Sequence, residues 1–255
     1  MFVNQYMAFS KGLVGAGLLL ALVCICVSGC AVSPKNDTEQ MSEVVLDETT
    51  GEPILVLIPD PYLLSNTEVS ADVSAKFQQG IALIEDQKWS QAQIHFEQLT
   101  QQVPTFSGPW VNLGLSLWRQ DLYEPAEHAF EQAILKNDKN GDAYNLYAVM
   151  MREQGDFKKA EALYKQAIAV WPHNVISHRN LGVLYDMYMG RFDEAYYHFE
   201  QCAKIMATPD KKLRGWMVDI KRRQAKMAKK QKQSGATAPA ESTEQGAANE
   251  SSNAI

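Results

Sequence analysis

One spacing governs the middle of this chain. Gly80, Gly114, Ala148 and Gly182 follow one another at intervals of 34 residues. Twelve residues after the first three come Ala92, Ala126 and Ala160, and the fourth counterpart, Ala195, arrives one residue late. Four residues further stand Phe96, Phe130, Tyr164 and Phe199, and three beyond those Leu99, Ala133, Ala167 and Cys202. A unit of this length holds two helices and a turn, and a single pair cannot bury its apolar face alone. Units must therefore stack on their neighbours. Small residues at fixed places let paired helices approach, and large side chains fill the space between them.

The second unit carries Trp110, Leu113, Gly114, Leu117, Ala126, Phe130 and Ala133. The third carries Tyr144, Tyr147, Ala148, Met151, Ala160, Tyr164, Ala167 and Pro172, and the fourth His178, Leu181, Gly182, Tyr185, Ala195 and Phe199. The first is weaker, with Lys76 and Gln79 at the two leading positions. This pattern resembles the tetratricopeptide repeat. The resemblance implies an all-α fold, a right-handed α-solenoid of about four helix pairs (73–106, 107–140, 141–174 and 175–208). Turns within the pairs are expected at Gln87-Lys88-Trp89, Asp121-Leu122-Tyr123, Gly155-Asp156-Phe157 and Gly190-Arg191-Phe192. The fourth unit holds one residue too many between Tyr185 and Gly190, which predicts a bulge in its first helix or turn.

A stack needs a closed end. Thr208-Pro209-Asp210 reads as an N-cap, a first-turn proline and a first-turn acid, opening a capping helix over 209–231. Leu213, Trp216, Met217 and Ile220 recur at helical spacing on it. Beyond Ile220 the helix is basic and polar. Residues 232–255 are small and polar with no apolar cluster, which predicts a disordered tail. Charge is uneven: Asp37 to Glu68 holds eight acidic residues and no basic one, and Asp210 to Lys232 ten basic and two acidic ones.

The N-terminus follows a different logic. Sixteen residues from Gly12 to Val27 carry no charge, and Lys11 precedes them. A basic residue, a short apolar run and then small residues form the layout of a secretory signal, and the run is short of the roughly 20 residues a membrane span needs. Cys24, Cys26 and Cys30 follow a C-x-C-x₃-C spacing with no fourth ligand and no nearby histidine, unlike a zinc site. Val27-Ser28-Gly29-Cys30 resembles the lipobox of bacterial lipoproteins. The resemblance implies removal of 1–29 and lipidation of Cys30. An uncleaved anchor helix is the alternative, and Met7 is an alternative start. Ala31 in place of Asp implies, for a Gram-negative cell, an outer-membrane lipoprotein facing the periplasm. Residues 30–72 then form a spacer. Its apolar, proline-rich stretch from Pro53 to Leu64 argues against helix; it packs on its own repeats along the first pair, occupies the groove, or docks a partner.

Catalytic signatures are missing: the chain has no G-x-S-x-G, H-E-x-x-H or C-x-x-C. The five histidines (95, 128, 173, 178 and 198) read as surface or packing residues, and Cys202 as a buried small hydrophobe. No cofactor, metal or small-molecule substrate is implied, and nucleic acid is no expected partner. In the resembled family the first helices line a concave groove. Matching positions here include Phe77, Ile81, Ile84, Val111, Asn112, Leu115, Trp118, Arg119, Asn145, Val149, Arg152, Arg179, Asn180, Val183 and Asp186. Asn pairs with peptide backbone, and Arg pairs bidentately with carboxylate. Trp118 is either an aromatic anchor or inter-repeat packing. Phe77 and Ile81 stand where a clamp for C-terminal carboxylates needs Lys and Asn, so that specificity does not carry over. The expectation is a non-catalytic, lipid-anchored scaffold that binds an envelope protein, of the class that includes type IV pilus pilotins. A second expectation puts the activity in Lys221, Arg222, Arg223, Lys226, Lys229 and Lys230, as a surface for anionic lipid or another polyanion.

Overall fold

Helices and breaks alternate as the spacing predicts. A computed structural model describes residues 45–46, 53–54, 57–65, 68–206 and 208–235; the signal segment, Cys30 and the tail beyond Gly235 lie outside them. Two residues of β1 (Val45–Leu46) pair antiparallel with β2 (Pro53–Ile54), and a single turn, α1 (Pro61–Leu64), follows. Then come four helix pairs: α2 (Ala71–Glu85) with α3 (Trp89–Gln102), α4 (Ser107–Trp118) with α5 (Tyr123–Lys136), α6 (Gly141–Glu153) with α7 (Phe157–Val170), and α8 (Val175–Val183) with α9 (Phe192–Ile205). The last helix is α10 (Lys211–Gly235).

Each pair closes on the same seam. A Cβ built on Gly80 would meet Phe96 Cζ at 2.5 Å, one on Gly114 would meet Phe130 Cδ1 at 2.9 Å, and one on Gly182 would meet Phe199 Cε1 at 2.6 Å. Rings and backbone therefore touch where the sequence places its smallest residue. Ala92, Ala126, Ala160 and Ala195 are fully buried beside them.

The turns repeat as faithfully. Lys88 N–H donates to Leu83 O, Leu122 N–H to Leu117 O and Asp156 N–H to Met151 O, the six-to-one bond that closes a helix C-terminus. One residue per turn takes positive φ: Gln87 (58°), Asp121 (61°), Gly155 (84°) and Gly190 (65°). In the fourth pair the matching bond runs from Arg191 N–H to Tyr185 O, one residue wider. Leu184–Met189 form a π-helical stretch that absorbs the extra residue. The expected bulge is there, at the end of the first helix.

Neighbouring pairs are fastened at their junctions. Asn140 caps α6 through Ala143 N–H (3.2 Å) and donates to Ser107 Oγ one repeat back (2.9 Å), and Asn174 caps α8 through Ser177 N–H (3.0 Å). Glu161 of α7 accepts from Tyr185 Oη (2.8 Å) and Arg191 Nη1 (3.0 Å) across the last junction. Leu213 and Ile220 of α10 are fully buried, and Trp216 lies 5.3 Å from the Phe199 ring, closing the fourth pair. Two boundaries differ from expectation. Asp210, not Thr208, caps α10, accepting from Leu213 N–H at 2.6 Å. The helix also runs to Gly235, past Gln231, because nothing in that polar stretch breaks it.

Candidate functional site

Successive first helices touch one another, α2 with α4, α4 with α6 and α6 with α8, while the second helices stand further apart. The stack thus curls toward its first helices, and they line its inner face. Matching residues fall there in two groups. Val111, Leu115, Trp118, Asn145 and Ile84 are buried. Phe77, Ile81, Asn112, Arg119, Val149, Arg152, Arg179, Asn180, Val183 and Asp186 keep partial exposure. Trp118 is 3 % exposed, and the Arg119 guanidinium lies 4.1 Å from its ring centroid, so the indole packs between repeats and Arg119 is what solvent meets. Asn145 is likewise buried, and its Oδ1 accepts from Asn180 Nδ2 at 3.0 Å, a bridge from α6 to α8. Asn112 donates to Gly108 O within its own helix (2.9 Å).

The arginines separate into paired and unpaired. Arg179 Nη2 lies 3.1 Å from Asp210 Oδ2, and Arg223 Nη1 lies 2.6 Å from Asp186 Oδ1. Arg119 and Arg152 have no carboxylate within ion-pair distance among the described residues. Arg152 sits 6.0 Å from the Tyr188 ring, and its buried Nε has no hydrogen-bond acceptor among those residues. The part of the Arg152 guanidinium that solvent reaches is therefore open to an incoming carboxylate. Two exposed side chains of the π-helical stretch, one of them the Tyr188 beside Arg152, were not foreseen. The π-helical stretch leaves Met187 71 % and Tyr188 46 % exposed, with Tyr188 5.1 Å from Phe157. The signal that could have found them is the extra residue between Tyr185 and Gly190.

One rim of this face is occupied by the chain itself. Ile58 O accepts from Trp171 Nε1 (2.8 Å), Ile58 N–H donates to His173 Nδ1 (2.6 Å), and Asn137 Nδ2 donates to Ser65 Oγ (3.4 Å). The Tyr62 hydroxyl meets Ser107 and Gly108, and burial raises its pKa. Segment 57–65 is therefore a strap across the junctions of the second, third and fourth pairs, not along the first pair. It also contains the turn its prolines argued against: Asp60 accepts from Tyr62 N–H (2.9 Å), and Pro61 takes the first helical position, where a missing N–H costs nothing. Asp60 and Asp142 repel across this rim, but Asp142 stays exposed and solvent screens the pair.

Elsewhere the titratable groups serve packing. Cys202 is fully buried, its Sγ–H donates to Val175 O (3.4 Å), and burial pushes the thiol up to about 12. The His178 and His198 Nδ1 atoms lie 2.9 Å apart, and His178 Nε2 bonds Pro172 O (3.0 Å). Burial and then the neighbouring His178 bring His198 down to about 4, so both rings are neutral near pH 7. His95 Nε2 lies 2.6 Å from Lys76 O, and the His128 ring 6.4 Å from that of Trp110. Among the described residues no group of three His, Cys, Asp or Glu could hold a metal ion, and no helix is long and apolar enough to cross a membrane.

Three family models described as tetratricopeptide repeat match residues 74–105, 111–159 and 140–208, together half of the chain. Among solved structures, pilF of Pseudomonas aeruginosa is 17% identical with a TM-score of 0.55, over 60% of this chain and 69% of its own. A double mutant of MamA from RS-1 is 11% identical at 0.51, over 62% and 87%. The Cut9–Hcn1 hetero-tetramer of the APC/C is 16% identical at 0.51, over 59% of this chain and 30% of that one. At these identities the likeness is one of fold. No curated protein matches the sequence.

Proposed function

Because the chain belongs to the tetratricopeptide-repeat family, we propose that it is a non-catalytic scaffold, tethered to a bacterial outer membrane through lipid on Cys30. Its inner face would hold an envelope protein on the periplasmic side. The observation that carries the binding reading is Arg152, a partly exposed cation with no carboxylate partner among the described residues, beside an exposed Tyr188 and one turn from Val149. A partner segment with a carboxylate flanked by apolar side chains suits that combination. Assembly of pili or of another envelope complex is the process we favour. It rests on the resemblance to pilotin-like lipoproteins and on a shared fold, which names no partner by itself.

In-cell crosslinking and pull-down of the full-length protein tests the binding reading. Arg119→Ala/Arg152→Ala should lose the captured partner while the thermal transition stays within a few degrees, since neither guanidinium is paired. Retention of the same partners by this variant would remove the inner face as the working surface. Metabolic labelling with a palmitate analogue tests the anchor separately: label should appear on the parent and vanish in Cys30→Ala. Label persisting on Cys30→Ala, or missing from the parent, would overturn it.

A further inference from the structure

α10 does two jobs along its length. It runs alongside α8 and the π-helical stretch after it, with Asp210 paired to Arg179 in α8 and Arg223 paired to Asp186 in the π-helical stretch. Among the described residues the last bond to the repeats is Gln224 Nε2 to Asp193 Oδ1 (2.5 Å). Beyond it α10 continues to Gly235 with no described partner, a rod of about 16 Å at helical rise. Arg222, Lys226, Lys229 and Lys230 are exposed and fall on one side of it, at steps of three and four residues. No acidic residue lies between Ile220 and Gly235. Lys221 is drawn to the Tyr196 ring (4.7 Å), and Arg223 is spent on Asp186 and Asp219, so among the described side chains beyond Ile220 these four are the cations without an acidic partner.

We infer that this rod is a docking surface for an acidic helical segment of a partner protein, whose carboxylates at steps of four residues match the cations turn for turn. Two other occupants fit less well. One is the chain's own acidic residues ahead of Ile58, and Ile58 is itself tied to Trp171 and His173, beside the start of α8. Lys226 lies about 24 Å along α10 from Asp210, so an acidic residue ahead of Ile58 could reach it only by ordering the chain between, at a cost in chain entropy. An anionic membrane favours a helix with large apolar groups on its other face. Here that face offers Ala225, Met227 and Ala228.

The test uses the full chain, parent and Lys226→Gln/Lys229→Gln/Lys230→Gln. All three positions lie past the last contact with the repeats, so circular dichroism and the melting transition should not change. The probe is a fluorescent alanine-based helical peptide with glutamates at every fourth position, beside an isomer with the same glutamates scattered. The patterned peptide should bind the parent with a salt-sensitive affinity that falls about tenfold in the variant, the loss of three exposed charge contacts. The scattered isomer should bind several-fold more weakly. Equal binding of both peptides, or of both proteins, would overturn the proposal. Capture of phosphatidylglycerol-containing vesicles but not of the patterned peptide would overturn it in favour of lipid. Arg119→Ala/Arg152→Ala should leave peptide binding to the rod unchanged, which separates this surface from the inner face.

Discussion

The two ends of the stack are closed by opposite means. At the fourth pair an added helix covers the exposed seam, burying Leu213 and Ile220 completely. At the first pair no described element covers the outer seam. The positions that turn toward a preceding repeat are filled in the later units by a partly buried Trp110 and by Leu113, Tyr144, Tyr147, His178 and Leu181, all buried. In the first unit they are Lys76 and Gln79, which with Gln98 and Gln102 line a shallow polar cleft beside His95. The first repeat fits its family pattern poorly because, among the described residues, no preceding repeat packs on its outer face. One end is capped by composition, the other by an extra element, and the second solution leaves α10 free to carry a charged extension.

The largest effect should come from uncovering the α10 end. Leu213→Ala/Ile220→Ala is expected to cost about 5 kcal/mol or more in urea unfolding, at 2–5 kcal/mol for each buried aliphatic removed. Gln79→Ala at the other end should stay within about 0.5 kcal/mol. Equal losses at both ends would break the comparison. A second effect should be the same at both ends. Gly80→Ala and Gly182→Ala each force a Cβ into a ring, and each should cost about 1–3 kcal/mol, since the seam inside a pair does not depend on its cap.

Acid should act on the fourth pair first. His198, held at about 4 by burial and then by His178, stays neutral when folded but takes up a proton near pH 6.5 when unfolded. The unfolded chain therefore binds more protons between these values. Stability is full above about pH 6.5 and is lost as pH falls toward 4. Below that, burial raises the Glu161 carboxyl, but hydrogen bonds from Lys165, Tyr185 and Arg191 outweigh it and bring it to about 2, so its contribution is lost from about pH 4.5 downward. Hydrogen exchange should show α8 and α9 opening before α2 and α3 at pH 5, and His198→Gln should flatten the upper part of that profile. The smallest effects belong to the turns. Gln87→Gly should gain about 1 kcal/mol by relieving a left-handed side chain, and Gly190→Ala should lose about as much, both readable in melting temperature.

The sequence made the repeats and their turns legible, because a seam such as Gly80 against Phe96 recurs at one spacing and each recurrence supports the others. The π-helical stretch was legible too, as one residue too many. The inner face was less so. Position numbers placed Val111, Leu115, Trp118 and Asn145 on it, but whether a side chain projects or packs depends on its neighbours in the next repeat. Arg119 over Trp118 and Asn180 against Asn145 are contacts between residues whose partnership no spacing announces. The strap was the hardest to read. Its composition demanded that it pack somewhere, but its partners Trp171 and His173 are more than a hundred positions away in the chain.

That strap changes how such a molecule must come together. A stack of repeats has contacts only between neighbours, so it can nucleate anywhere, fray from either end and fold fast for its size. Tying Ile58 to Trp171, 113 residues on, adds a long-range closure whose entropy is recovered only after the repeats between are in place. Docking of the strap would then be a late kinetic phase. In the finished protein, melting of the α7–α8 junction would have to break contacts made from the far end of the sequence. A chain built for one-dimensional fraying thereby gains a measure of all-or-none cooperativity.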